Sequence, residues 1–229
     1  MTTATIHQPD FAPWLGFFDR LQMSDVYLVM DDVQFIRRGW HHRDKIKTAQ
    51  DVQWLTLPIQ KSGKFEQLIS ETLIDESLDW RTKHLKTLQC AYGKAQWFDW
   101  TMQRLEPVYN RAGNSMMGLN MDIIHMGLEI LDIPIQVKFT SELRAQGQKT
   151  DRILDILRRA NVDTYISGLG ARAYLDDALI EDAGIRLVWQ DFPHPVYPQL
   201  HGSFAPMLSC LDCFFNCGPD AAKVLRSKK

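Results

Sequence analysis

Apolar residues fall into two kinds of run along this chain, and their alternation predicts the fold. Thr5-Ile6-His7 reads as the end of a short strand, stopped by Gln8-Pro9, and prolines at 9 and 13 exclude a helix between them. From about Trp14 to Met23, Leu15, Phe18 and Leu21 recur on one helical face. Val26-Tyr27-Leu28-Val29-Met30 is a continuous apolar run ending in Asp31-Asp32, the pattern of a strand buried on both faces of a parallel sheet. Strand, helix and strand within about 28 residues make a βαβ unit.

From Trp80 to about Leu131 the period is helical, with breaks near Gly93, Gly113 and Pro134. Leu85, Leu88 and Tyr92 share one face; Ile123, Ile124, Leu128 and Leu131 share another. The β/α alternation then returns. Strands are expected at Gln136–Phe139, Thr164–Ser167 and Ile185–Trp189, and helices at Thr150–Ala160 and Pro206–Phe215. The expectation is an α/β, Rossmann-like fold: a single domain over residues 1–229, a mainly parallel sheet, and a helical insertion at about 79–134. Open parallel sheets bind ligands beyond the carboxyl ends of their strands. By this reading His7-Gln8-Pro9-Asp10, Asp31-Asp32-Val33-Gln34 and Ser167-Gly168-Leu169-Gly170 all lie there.

Composition narrows the class. The chain has 229 residues, 45% of them hydrophobic and 24% charged, which suits a globular protein with a sizeable core. A net charge of -2 gives no global attraction to nucleic acid or an acidic membrane, so any anion site is local. No apolar run of about 18 residues predicts a membrane span, and the first residues carry no secretory signal pattern. Four cysteines in a chain of this size are expected to be reduced thiols, in keeping with a cytoplasmic protein. Cys210, Cys213 and Cys217 follow helical core spacing rather than that of a zinc knuckle. The adjacent His41-His42 diverge and form no metal pair.

The candidate chemistry sits in the same segments. His7 is suited to general-base work or, protonated, to phosphate. Asp10 follows it in the same loop. Asp31 and Asp32 point to opposite sides of extended backbone. One is expected to face a site as general base or metal ligand, and the other to cap a helix or pair with Arg37 or Arg38. The stretch from Arg37 to Lys47 is strongly basic: Arg37, Arg43 and Lys45 match diphosphate oxygens, and Trp40 offers a ring for stacking. A solvated basic loop is the bland alternative. Thr150 is a natural N-cap, and Lys149 beside it can meet a phosphate at the helix start. Ser167-Gly168 lets backbone N–H groups approach a ligand. His194, Tyr197 and Gln199 bring an imidazole, a phenol and an amide into a proline-stiffened loop.

The stretch from His7 to Asp19 resembles the opening motif of the WbqC-like family. The likeness continues through Asp31-Asp32-Val33-Gln34-Phe35, Trp40, Arg43, Ile46-Lys47-Thr48 and Trp54-Leu55-Thr56-Leu57-Pro58. Further on it includes Lys149-Thr150, Tyr165-Ile166-Ser167-Gly168, Tyr174-Leu175, His194-Pro195, Tyr197, Gln199, Leu208-Ser209, Asp212 and Gly218. The resemblance implies a role in bacterial surface polysaccharide (O-antigen) assembly. It points to a transferase that moves an aminoacyl (glycine) or acyl group to a nucleotide-linked amino sugar. On it, Gln8, Trp14, Gln34 and Tyr174 join the expected substrate contacts, and His7, Asp10, Asp31 and His194 the expected catalytic groups. The expected partner is a small nucleotide-linked sugar, not nucleic acid; no cofactor is required, and Mg²⁺ is compatible. The start of the chain is also similar to nucleotidyltransferase-like Rossmann domains, but Trp14 and Phe17 stand where those proteins carry the two histidines of His-x-Gly-His. An adenylating enzyme and a non-catalytic assembly partner are the alternative readings.

Overall fold

The apolar runs do become parallel strands. In the computed structural model, which describes residues 1–60 and 66–227, the elements follow in this order. They are β1 (Thr3–His7), α1 (Leu15–Gln22), β2 (Val26–Val29), β3 (Arg43–Lys47), β4 (Val52–Thr56), α2 (Trp80–Tyr92), α3 (Phe98–Arg111) and α4 (Met116–Leu131). Then come β5 (Gln136–Phe139), α5 (Thr140–Leu143), α6 (Lys149–Arg159), β6 (Thr164–Ser167), α7 (Asp177–Asp182), β7 (Arg186–Trp189), α8 (Cys210–Cys217) and α9 (Ala221–Arg226). The chain divides into two compact units. The first is Met1–Gln8, Phe17–Asp32 and Ile133–Phe192; the second is Pro9–Gly16, Val33–Asp132 and Pro193–Lys229.

The first unit holds a five-stranded sheet in the order β5-β2-β1-β6-β7. Every neighbouring pair is parallel, as in Ile6 against Leu28, Leu28 against Lys138 and Ile166 against Val188. All four residues of β2 are buried, as its unbroken apolar run requires. The sheet grows from β1 through β2 to β5 on one side, then from β6 to β7 on the other, so its winding reverses between β1 and β6. Ala4, Ile6, Val26 and Leu28 pack with Ile153, Ile156 and Leu157 of α6 and with Ile180 and Ile185. The apolar stripe of α6 therefore covers the sheet, while Arg158 and Arg159 end the helix where cations suit its dipole.

The second unit contains the helical middle of the chain as three helices, α2 to α4. Ser115 caps α4 by accepting the N–H of Gly118 at 3.1 Å, and Asp132 ends it in a left-handed conformation (φ 53°) just before Pro134. Tyr92, Phe98 and Phe215 stack at the centre, Phe215 lying 4.7 Å from Tyr92 and 5.5 Å from Phe98. Cys210, Cys213 and Cys217 are free and buried on α8, as helical core spacing requires.

Two local expectations need correction. The helix expected from Pro206 begins only at Cys210: Met207 takes φ 58°, outside the helical range, and Ser209 is the cap, accepting the N–H of Leu211. The basic stretch is not simply a loop. Its second half is β3, paired antiparallel with β4, so Arg43 and Lys45 lie on one face while Asp44 and Ile46 turn inward.

Candidate functional site

The reversal between β1 and β6 carries His7 at one strand end and Ser167-Gly168 at the other. His7 is half-buried; its Nδ1 lies 2.8 Å from the carbonyl of Gln8 and its ring meets Phe17 edge-on at 5.3 Å. The Tyr27 hydroxyl donates to the His7 carbonyl at 3.2 Å and lies 3.4 Å from that of Gln8, so β2 pins the backbone leaving β1. Ser167 is buried and its hydroxyl donates to the Tyr165 oxygen at 3.3 Å.

Gly168 is needed for space. Its backbone (φ −80°, ψ 151°) suits any residue, but a Cβ there would collide with the guanidinium of Arg20. Arg20 is buried, 7% exposed, and donates to Gln190 Oε1 at 3.1 Å. Gln190 in turn donates to Asp19 Oδ2 at 2.7 Å, and Gln22 to Asp19 Oδ1 at 2.9 Å. A fixed cation therefore sits directly under the turn that follows β6. Burial pushes the Tyr165 hydroxyl up to about 12, opposed by its bond from Ser167 and by the Arg20 charge; it raises Tyr174 too, again against Arg20. Tyr174 is half exposed beside this charge. Arg20 and Gln190 are not marked by the sequence, because their partnership joins residues 170 positions apart and forms only on folding.

Asp31 and Asp32 both turn to the start of α5. Asp31 accepts the N–H of Ser141 at 3.0 Å and its hydroxyl at 2.7 Å. Asp32 accepts Thr140 Oγ1 at 2.7 Å and pairs with Arg152 at 2.6 Å. One of the two is expected from the sequence to face the site as a base or metal ligand; instead both bond to the start of α5, and the arginine partner is Arg152 rather than Arg37 or Arg38. Lys149 is exposed, with φ 50°, at the start of α6. Thr150 does not cap that helix; Gln148 holds the cap position without a side-chain bond. Thr150 Oγ1 instead donates to the Tyr174 carbonyl at 3.2 Å and accepts the N–H of Asp176 at 3.0 Å. It thereby fixes the segment that carries Tyr174.

The remaining expected residues belong to the second unit. Asp10 Oδ1 lies 3.1 Å from Nδ1 of the buried His41. Trp14 stacks on His194 at 6.2 Å, and burial lowers the His194 imidazole. Tyr197 and Gln199 donate to Asp212 at 2.9 and 2.8 Å, and Tyr92 donates to its other oxygen at 2.9 Å. Lys47 donates to Gln199 Oε1 at 3.2 Å. Burial still raises the Asp212 carboxyl, against the pull of these donors. Trp40 lies 5.2 Å from Trp54; the Arg43 guanidinium is 4.2 Å from the Trp54 ring and Lys45 Nζ 5.3 Å from it. This is an exposed aromatic and cationic face on the hairpin. Arg37 and Gln34 are exposed outside it, Gln34 in an antiparallel bridge with Leu68. A shallow cavity of about 590 Å³ lined by Thr48, Gln53, Lys83, Lys86 and Thr87 includes none of the expected residues.

A parallel sheet of this order, with polar groups gathered where its winding reverses, defines a Rossmann-like α/β protein. The model of the WbqC-like protein family matches residues 8–224, and the chain belongs to that family. It is 34% identical over 228 residues to Rv1507c, an uncharacterized protein of Mycobacterium tuberculosis, covering 99% of this chain and 98% of that one. No solved structure matches the chain. Among the described residues no helix is long and apolar enough to cross a membrane.

Proposed function

We propose that this protein is a transferase of bacterial surface polysaccharide (O-antigen) biosynthesis, acting in the cytoplasm. It passes an acyl or aminoacyl (glycine) group to the amine of a nucleotide-linked amino sugar, and the nucleotide diphosphate binds at the reversal between β1 and β6. The buried Arg20 guanidinium held against Gly168 at this reversal carries the reading. A diphosphate in the crevice meets a cation whose position is already fixed, so little ordering cost is added on binding. His7 and Tyr174 supply further polar contacts at the same end of the sheet. Asp31, Asp32 and Thr150 serve by holding the surrounding turns. Mg²⁺, where it takes part, arrives on the phosphates.

Thermal stability of the purified protein against nucleotide-linked amino sugars, ATP and aminoacyl donors, with and without Mg²⁺, tests this. A ligand at a hundred times its dissociation constant stabilises by about 2.7 kcal/mol. The expected result is a shift with a nucleotide-linked amino sugar that is lost in Gly168→Ala, whose methyl displaces Arg20, and weakened in His7→Ala. A shift with ATP and Mg²⁺ alone supports an adenylating enzyme instead. No shift with any member of the panel leaves the non-catalytic assembly partner ahead.

A further inference from the structure

A second polar cluster lies wholly within the second unit and takes no part in the crevice reading. Asp10 holds Nδ1 of His41, so with the carboxylate ionised that nitrogen carries the proton and Nε2 is left as an acceptor. His41 is 3% exposed, yet its Nε2 has no hydrogen-bond partner among the described residues. The buried His84 of the same unit differs: its Nε2 lies 2.9 Å from the Thr56 carbonyl and its Nδ1 3.3 Å from the Tyr109 hydroxyl. Asn120, fully buried on α4, repeats the pattern of His41. Its amide nitrogen donates to the carbonyls of Pro9 and His41, both at 2.7 Å, which fixes the orientation of the amide. Its Oδ1 has no donor. Buried acceptors left unsatisfied are rare in native interiors and each calls for a partner.

The approach to His41 is set by Gly39. A Cβ at that position would lie 3.2 Å from both Nε2 and Cδ2 of His41, about where a hydrogen-bonding atom belongs. Gly39 is only partly buried, and its backbone (φ −78°, ψ 179°) is one that any residue adopts. Its bare Cα therefore keeps clear of the Nε2 side of the ring, which a side chain there would crowd. Asp44 is within reach of the Asp10 charge: burial raises its carboxyl well above the usual range, with the Asp10 charge adding to the effect.

We propose that His41, oriented by Asp10, is a proton-accepting site for the ammonium group of a ligand that approaches across Gly39. An ammonium N–H bond of the ligand breaks with its electron pair staying on nitrogen, so that a neutral amine is left; the proton joins Nε2, and the resulting imidazolium stays paired with the Asp10 carboxylate. This site stands or falls separately from the sheet crevice, because no nucleotide is needed to detect it.

Diethyl pyrocarbonate tests it. An unprotonated imidazole nitrogen attacks the reagent's carbonyl carbon and displaces ethyl carbonate, which decomposes to ethanol and carbon dioxide; peptide mass spectrometry then reads each histidine. In the native protein His41 reacts faster than His84 by on the order of ten-fold, because only His41 presents a free nitrogen lone pair. Gly39→Ala slows His41 by a similar factor and leaves the exposed His125 unchanged. Modification of His41 only after unfolding overturns the proposal, as does an equal rate in Gly39→Ala. Either result reduces the unsatisfied atoms to contacts of buried water.

Discussion

His84 makes the stability of this protein depend on pH, and the size of the effect follows from its surroundings. Burial lowers its imidazole to about 4, against the opposing bond to the Thr56 carbonyl. In the unfolded chain the same group titrates near 6.5. Between these values the unfolded chain binds a proton that the folded one refuses. The stabilisation is therefore complete above pH 6.5 and is lost as the pH falls towards 4. The slope is about 1.4 kcal/mol per pH unit, so this group removes about 2 kcal/mol between pH 7 and pH 5 and about 3 kcal/mol in all. His194, lowered by burial, acts in the same direction. Asp44 and Asp212 act in the opposite one, since their raised carboxyls bind protons in the folded state first. The measurement is thus a difference: urea unfolding of the protein and of His84→Gln from pH 7 to pH 5. Six of the seven tryptophans belong to the second unit, so their fluorescence reports the unit that contains His84. The gap between the two proteins narrows by about 2 kcal/mol on acidification. A gap that stays constant across this range would refute a neutral, buried His84.

Two further substitutions probe the second unit. Ser209→Ala removes the cap of α8, at 3.2 Å from the Leu211 N–H, and the hydroxyl's bond to the Ala12 carbonyl at 2.8 Å; urea unfolding is expected to show a loss of about 1–2 kcal/mol. Tyr197→Phe takes one donor from the buried Asp212 carboxylate, and a loss of about 1–3 kcal/mol is expected at neutral pH, smaller in acid where that carboxyl is protonated.

The sheet was legible in the sequence because its strands are buried on both faces and so appear as uninterrupted apolar runs. Val26 to Val29 is the clearest instance. The hairpin was not legible, since β3 alternates correctly but one of its inward residues is Asp44, and a buried carboxylate reads as a loop charge. The apolar pattern runs back through Leu208 and Met207 and so hides the true start of α8, which is set by a backbone angle at Met207. The site was half visible. His7 and Ser167-Gly168 follow from strand ends, but Arg20 becomes significant only through its packing against Gly168. His41 stands next to His42 in a pair that suits no metal, and its relation to Asp10, 31 positions away in the chain, emerges only on folding.

Each of the two units is stitched from three separated stretches of the chain. Neither is therefore a module that a gene could gain or lose as one block. No single cut in the polypeptide releases either unit whole: a break after Asp132 leaves β1 and β2 without β5, β6 and β7, and takes α8 from the helices it packs with. Fragments made at the apparent boundaries will fail to fold for topological reasons, and complementation between two such fragments, rather than expression of either alone, is the form in which dissection of this protein has a prospect of success.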